Sequence, residues 1–181
     1  MKKSVFGILV LLCIGLCAAE LYPAGTFETD SIKPLWLRRN LPKGANKADY
    51  ADGFTWKIQG EKFFSGKQAL LLEEKKEGCT IELNLPAVPC EAGKSYEFSF
   101  RYFIEESNPN MKVGARVVLA IPGQRGTYMF PNGKKDAGVW NEFKFPFKTN
   151  EAHKSIGITL WLGAGPCKVY VDDFSLVLKE D

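Results

Sequence analysis

The residues best placed to do chemistry lie near the C-terminus, in VYVDDFSL at positions 169–176. Two adjacent acids, Asp172 and Asp173, interrupt a run of strand-forming residues. Neighbouring side chains on a strand point to opposite faces, so both acids cannot simply face water if one face packs on a core. One of them requires a metal ion, a backbone amide or a cation. The alternative is a bulge or sheet edge, where one acid caps a turn and the other is solvated.

Other chemistry is thin. The chain has one histidine, His153, in the polar turn Asn-Glu-Ala-His-Lys, which reads as a surface residue. No Gly-x-Ser-x-Gly elbow and no histidine pair for zinc is present. Residues 60–67 resemble a phosphate loop only superficially: five residues separate the glycines instead of four, and Gln68 replaces the Ser or Thr. Glu97 and Glu142 could share a face, as the two carboxylates of a small glycoside hydrolase would need. These patterns favour a non-catalytic protein.

The elements that must position these residues are strands. Residues 95–105 place Tyr96, Phe98, Phe100, Tyr102 and Ile104 on one face, with Glu97, Ser99, Arg101 and Phe103 on the other. Similar alternation marks 79–85, 140–149 and 155–162, and further strands are predicted at 21–27, 55–58, 68–73, 113–121, 126–130 and 168–178. Residues 31–53, broken by Pro34, Pro42, Gly44 and Gly53, read as a long irregular excursion holding short strands. Nothing longer than a turn or two has a helical period. Short strands joined by Gly/Pro-rich turns indicate an all-β sandwich or jelly roll.

Residues 1–19 have the form of a signal peptide: Lys2 and Lys3, an apolar run, then Ala18 and Ala19. Residues 20–181 then form a single exported domain, secreted, periplasmic or at the cell surface. Leu16 before Cys17 is a poor context for acylation, so plain secretion is preferred to a lipoprotein. No later stretch is long and apolar enough to span a bilayer. The net charge of +3 includes the two leader lysines, so charge gives no case for nucleic acid. Three of the five cysteines, Cys79, Cys90 and Cys167, belong to the domain. Export permits a disulfide, and Cys90 with Cys167 is the preferred pair because both stand where a strand is about to begin.

Four segments in order resemble the jelly-roll carbohydrate-binding modules appended to xylanases and β-glucanases, in the galactose-binding-like superfamily. They are GTFE at 25–28, SGKQAL at 65–70, GKSYEFSF at 93–100 and the closing VYVDDFSL. The tryptophan at 140 before an aromatic strand also fits. The resemblance spans the exported chain and implies a secreted binder of polysaccharide or glycan. It also implies a structural Ca2+ held by Glu28 and Asp172, with the carbonyls of Gly25 and Lys67 as further oxygens and Asp30 and Asp173 nearby. Hard carboxylate and carbonyl oxygens suit that ion. Where the family often has Asn before the first glycine, this chain has Ala24.

On this reading the glycan lies on the outer face of the sandwich, against Trp161, Arg101, Phe103, Arg116 and Glu97. A flat ring stacks on the apolar face of a sugar while polar side chains read its hydroxyls. The competing readings are that Trp161 packs beneath 31–53, that Arg101 and Glu97 merely pair, and that Trp36, Tyr50 and Trp56 form a site in end loops. Trp56 and Trp140 are expected in the core. The second functional class is an extracellular structural domain with cell-surface or secreted protein partners.

Overall fold

The structure is a computed structural model and describes residues 27–28 and 36–179. The predicted leader, Gly25, Asp30 and all but Phe27 of the predicted strand at 21–27 lie outside the described residues.

Among the described residues, eleven strands form two antiparallel sheets. In chain order they are β1 (Trp36–Asn40), β2 (Phe54–Gln59), β3 (Ala69–Glu74), β4 (Thr80–Asn84), β5 (Val88–Pro89), β6 (Ser95–Glu106), β7 (Lys112–Ala120), β8 (Thr127–Met129), β9 (Trp140–Lys148), β10 (Ser155–Gly163) and β11 (Cys167–Lys179). One sheet runs β1-β4-β10-β7-β8, with β5 also paired to β10; the other runs β2-β3-β11-β6-β9. Sequential strands mostly fall in different sheets, as a two-layer jelly roll requires. A short 3-10 helix (Lys47–Tyr50) follows β1.

Alternation decides which side of each sheet is dry. Tyr96, Phe98, Phe100, Tyr102 and Ile104 of β6 are buried, and Ile156, Ile158, Leu160 and Leu162 of β10 face them from the other sheet. Each such side chain contributes about 1.5–3 kcal/mol on burial. Phe100 and Phe143 stack at 4.8 Å between centroids. Trp56 is exposed and Trp140 packs outside the core against Phe64 and Phe103, so neither is the core residue expected.

Two further expectations are corrected. Cys79, Cys90 and Cys167 are all free thiols, so the Cys90–Cys167 disulfide is absent. Strand starts identify which residues enter a sheet, not which Cβ atoms meet. β6 and β11 are antiparallel neighbours, with Ser95 opposite Lys179 and Glu106 opposite Lys168, so Cys90 before β6 and Cys167 at the start of β11 stand at opposite ends of the pair. His153 is buried, not on the surface: its Nδ1 accepts the Asn150 N–H at 3.1 Å, and its Nε2 lies 3.1 Å from Thr127 Oγ1. With Nδ1 accepting, Nε2 carries the proton and donates to Thr127.

Candidate functional site

The outer face of the six-stranded sheet holds the most open group of aromatic and polar side chains. Trp161 of β10 stands opposite Glu82 of β4 on one side and Gly114 of β7 on the other. Its ring is 39% exposed, and its Nε1 donates to Glu82 Oε1 at 3.3 Å. Gly114 has no side chain to fill the space beside it. Phe130, 53% exposed, therefore approaches Trp161 to 6.2 Å between centroids, tilted by 32°. A Cβ at Gly114 would stand 2.7 Å from the Pro131 carbonyl, so the glycine is also needed for the backbone of 131–133 to lie alongside β7.

One pair further along, polar side chains replace rings. Arg116 Nη2 donates to Thr159 Oγ1 at 3.2 Å, and Thr159 donates to Asn84 Oδ1 at 2.8 Å. Asn84 Nδ2 in turn donates to the Trp36 carbonyl at 3.2 Å. The Nε of Arg116 is buried with no hydrogen-bond partner among the described residues. An unpaired buried donor costs free energy until something accepts from it. Trp36, 68% exposed on edge strand β1, closes this end of the row.

The Trp161 ring also walls a hollow of about 440 Å³ with Lys112, Val113, Asn132 and Lys135. Tyr102 supports its rim from inside the sandwich, donating its hydroxyl to the Lys134 carbonyl at 2.8 Å. Burial pushes that phenol up to about 12, so it remains a donor at any physiological pH.

Arg101, Phe103 and Glu97 are not brought to this face. They lie on β6, on the outside of the opposite sheet. Arg101 pairs with Glu142 at 3.1 Å and lies over the Phe64 ring at 4.6 Å. Glu97 pairs with Lys179 at 3.4 Å rather than with Arg101. Phe103 packs on Trp140 and Tyr170, with Lys62 Nζ 3.8 Å above its ring. The segment bearing Lys62 and Phe64 thus packs on this second face.

Asp172 and Asp173 occupy a bulge. The β11–β6 register shifts between Asp172 and Ser175, and Asp173 adopts φ +49°. Asp172 is fully buried: its Oδ2 accepts the N–H groups of Phe64 and Ser65 at 2.9 and 3.2 Å, and its Oδ1 accepts that of Asp173 at 2.9 Å. Burial pushes its carboxyl above the usual carboxylate range, and the three amides pull it part of the way back. Asp173 accepts from Ser65 Oγ at 2.5 Å. Glu28 reaches the same turn and accepts the Lys67 N–H at 2.9 Å. At Gly66, φ +64°, a Cβ would fall 1.9 Å from Glu28 Oε1, so the turn is a cradle for that carboxylate.

The oxygens that calcium takes are carboxylates and carbonyls. Each carboxylate oxygen here spends one lone pair on each amide it accepts, leaving hard-oxygen capacity on both acids. The Lys67 carbonyl, however, lies beside Gly60, 3.1 Å from where a Cβ there would stand. Among the described residues, no group of three or more His, Cys, Asp or Glu is placed to hold a metal ion.

No protein-family profile matches the chain, and no curated protein matches it in sequence. Solved structures do. A xylan-binding CBM22 module from Paenibacillus barcinonensis superposes with a TM-score of 0.62 at 14% identity, over 91% of this chain and 97% of that one. A CBM61 module in complex with β-1,4-galactotriose gives 0.61 at 17% identity, over 90% and 100%. The fold is that of the jelly-roll carbohydrate-binding modules. The same sandwich recurs in the enzymatically active domain of a bacteriophage CBA120 tailspike, with a TM-score of 0.68 at 10% identity over 88% of this chain. There it covers 21% of the larger protein. At these identities the likeness establishes the module fold alone.

Within that fold, sequence reasoning placed Trp161 and Arg116 on one outer face, and they do share it. It missed Phe130, Glu82, Asn84, Lys112, Asn132 and Lys135 as their neighbours. Glu82 and Asn84 were legible as outward positions of an alternating strand. Their meeting with Trp161 and Thr159 depends on β4 pairing with β10, across 75 or more residues of chain.

Proposed function

We propose that the protein is an exported, non-catalytic glycan-binding module whose site is the outer face of the six-stranded sheet. The observation carrying this reading is the Trp161–Phe130 pair, half-open to solvent beside the Arg116–Thr159–Asn84 ladder. Rings of this kind offer apolar area to a sugar face, and the ladder offers donors and acceptors to its hydroxyls. The opposite face supports the choice by contrast. Arg101, Phe103 and Glu97 are engaged there with Glu142, Trp140, Tyr170 and Lys179. Binding requires no bond to be made or broken. No helix among the described residues is long and apolar enough to cross a membrane, and export rests on the leader-like residues 1–19.

Calcium belongs to the same proposal as a structural ion at Glu28 and Asp172, remote in chemistry from the aromatic face. It would supply charge to two carboxylates that now depend on the amides of one turn.

The test is a panel of plant, algal and microbial polysaccharides presented to the secreted chain and to its Trp161→Ala variant. Retention that disappears in W161A, with an unchanged circular dichroism spectrum, is the expected result. Failure to retain any glycan overturns the reading and turns attention to protein partners for the exposed Trp36, Tyr128 and Phe130.

A further inference from the structure

The two outer faces treat their positive charges differently. On the five-stranded sheet and the segment packed on it, five cations meet carboxylates: Lys62 and Lys168 reach Glu105, Arg101 and Lys144 reach Glu142, and Lys179 reaches Glu97, all within 3.4 Å, while Lys57 and Lys148 at its outer strands are unpaired among the described residues. On the six-stranded face Lys112, Arg116 and Lys135 lie around Trp161, and none of them has an ion-pair partner among the described residues. Of the acids nearby, Glu82 is engaged by the indole N–H, and Asp136 follows Lys135 in the chain.

From this asymmetry we propose that the ligand of the Trp161 face is an acidic glycan, one bearing carboxylate or sulfate groups along the chain. The inference rests on the glycan-binding reading above and narrows it. A neutral sugar residue stacks on Trp161 and Phe130, and an anionic substituent enters the hollow that Lys112 and Lys135 help to line. The buried, unpartnered Nε of Arg116 is the third donor facing this side of the sheet. Its guanidinium is oriented by Thr159, and a ligand oxygen meets Nε only if the side chain shifts outward. Hydrogen bonds from a cation to an anionic oxygen are shorter and roughly twice as strong as neutral ones. They also fade with salt, because exposed charges are screened over about 8–10 Å at physiological ionic strength.

The experiment measures affinity of the secreted chain for polygalacturonate, for its methyl ester and for neutral β-1,4-galactan, at low and high salt. The same series is run on a Lys112→Ala/Lys135→Ala variant and on W161A. Polygalacturonate is expected to bind about tenfold tighter than its ester at low salt. That margin should vanish in the double lysine variant and at high salt, the scale of two or three exposed charge contacts. A sulfated galactan in parallel separates carboxylate from sulfate as the preferred anion. Equal binding of acid, ester and neutral glycan, all lost in W161A, overturns the charge inference and leaves the glycan reading standing. Acid-selective binding that survives loss of both lysines also overturns it. No binding of any glycan removes both.

Discussion

Arg39 and Glu74 form a two-pronged ion pair that joins the two sheets. Arg39 Nε and Nη2 donate to Glu74 Oε2 and Oε1 at 2.6 and 2.7 Å, although β1 and β3 belong to different layers. Glu74 is buried, also accepts the Lys76 N–H, and lies opposite Cys167. Arg39 spreads against the rings of Tyr50 and Phe54 and donates to the Tyr50 carbonyl.

Breaking this pair from one side leaves a charge stranded in the interior. Glu74→Ala is expected to cost about 3–5 kcal/mol, and Arg39→Ala a similar amount, because the remaining partner stays desolvated. Urea unfolding of both single variants and the double variant measures it. A double variant much less damaged than the sum of the singles shows that the penalty comes from the stranded charge. The pair also anchors β1, which carries Trp36 into the candidate site.

Acid should weaken the second face first. Lys168, Tyr170 and Lys62 hydrogen-bond to Glu105 and hold its carboxyl down at about 2, from an ordinary value of 4.5. A group depressed in the folded state contributes stability that is fully present above its unfolded value. That contribution is lost as pH falls from about 4.5 towards 2. Thermal melts between pH 2 and 6 should therefore show a limb that Glu105→Gln flattens. The group is partly exposed, so added salt should reduce the limb.

The proposed calcium ion would change the sign of another limb. Asp172 is raised above 3.8 by burial, so the unfolded state gives up this proton first. Without the ion, stability falls as pH climbs from the unfolded value through the folded one. With the ion, both carboxylates must be ionised, and stabilisation appears over the same range. At neutral pH, Ca2+ at a hundred times its dissociation constant should stabilise the fold by about 2.7 kcal/mol. That corresponds to a rise in Tm of roughly 5–10 °C for a domain of this size. Glu28→Gln, a change at an exposed residue, should abolish the shift; a shift unchanged in that variant would place the ion elsewhere.

Thiol labelling tests the absence of a disulfide. Cys167 is buried and pushed up to about 11, and burial also raises Cys79 and Cys90. The native domain should react slowly, with half-buried Cys90 first, whereas the unfolded domain should take up one alkyl group on each of Cys79, Cys90 and Cys167 without a reductant. A pair that labels only after reduction would contradict the structure.

Alternation carried most of the fold. In β6 and β10 every second residue is apolar, and burial of that face leaves one arrangement of a strand against a core. The strands at 69–74, 80–84, 95–106, 112–120, 140–148, 155–163 and 167–179 therefore lie close to where the residues alone put them. Strand β1 was hidden because only Trp36 and Leu37 among its five residues are apolar; it sits on an edge, with half of its partners missing. The bulge at Asp172 was legible as a disturbance but not as a solution, since Phe64, Ser65 and Asp173 supply its hydrogen bonds.

The sequence by itself determined two apolar faces, a set of outward side chains and the oddity of two acids in a strand. It could not say which outward residues share a sheet, because alternation has period two and carries no information about pairing across a hundred residues. Arg101 and Trp161 are both outward, yet they stand on opposite sides of the sandwich. Only the order β1-β4-β10-β7-β8 brings Trp161, Arg116, Asn84 and Phe130 together, and only Gly114 in that order lets the two rings meet.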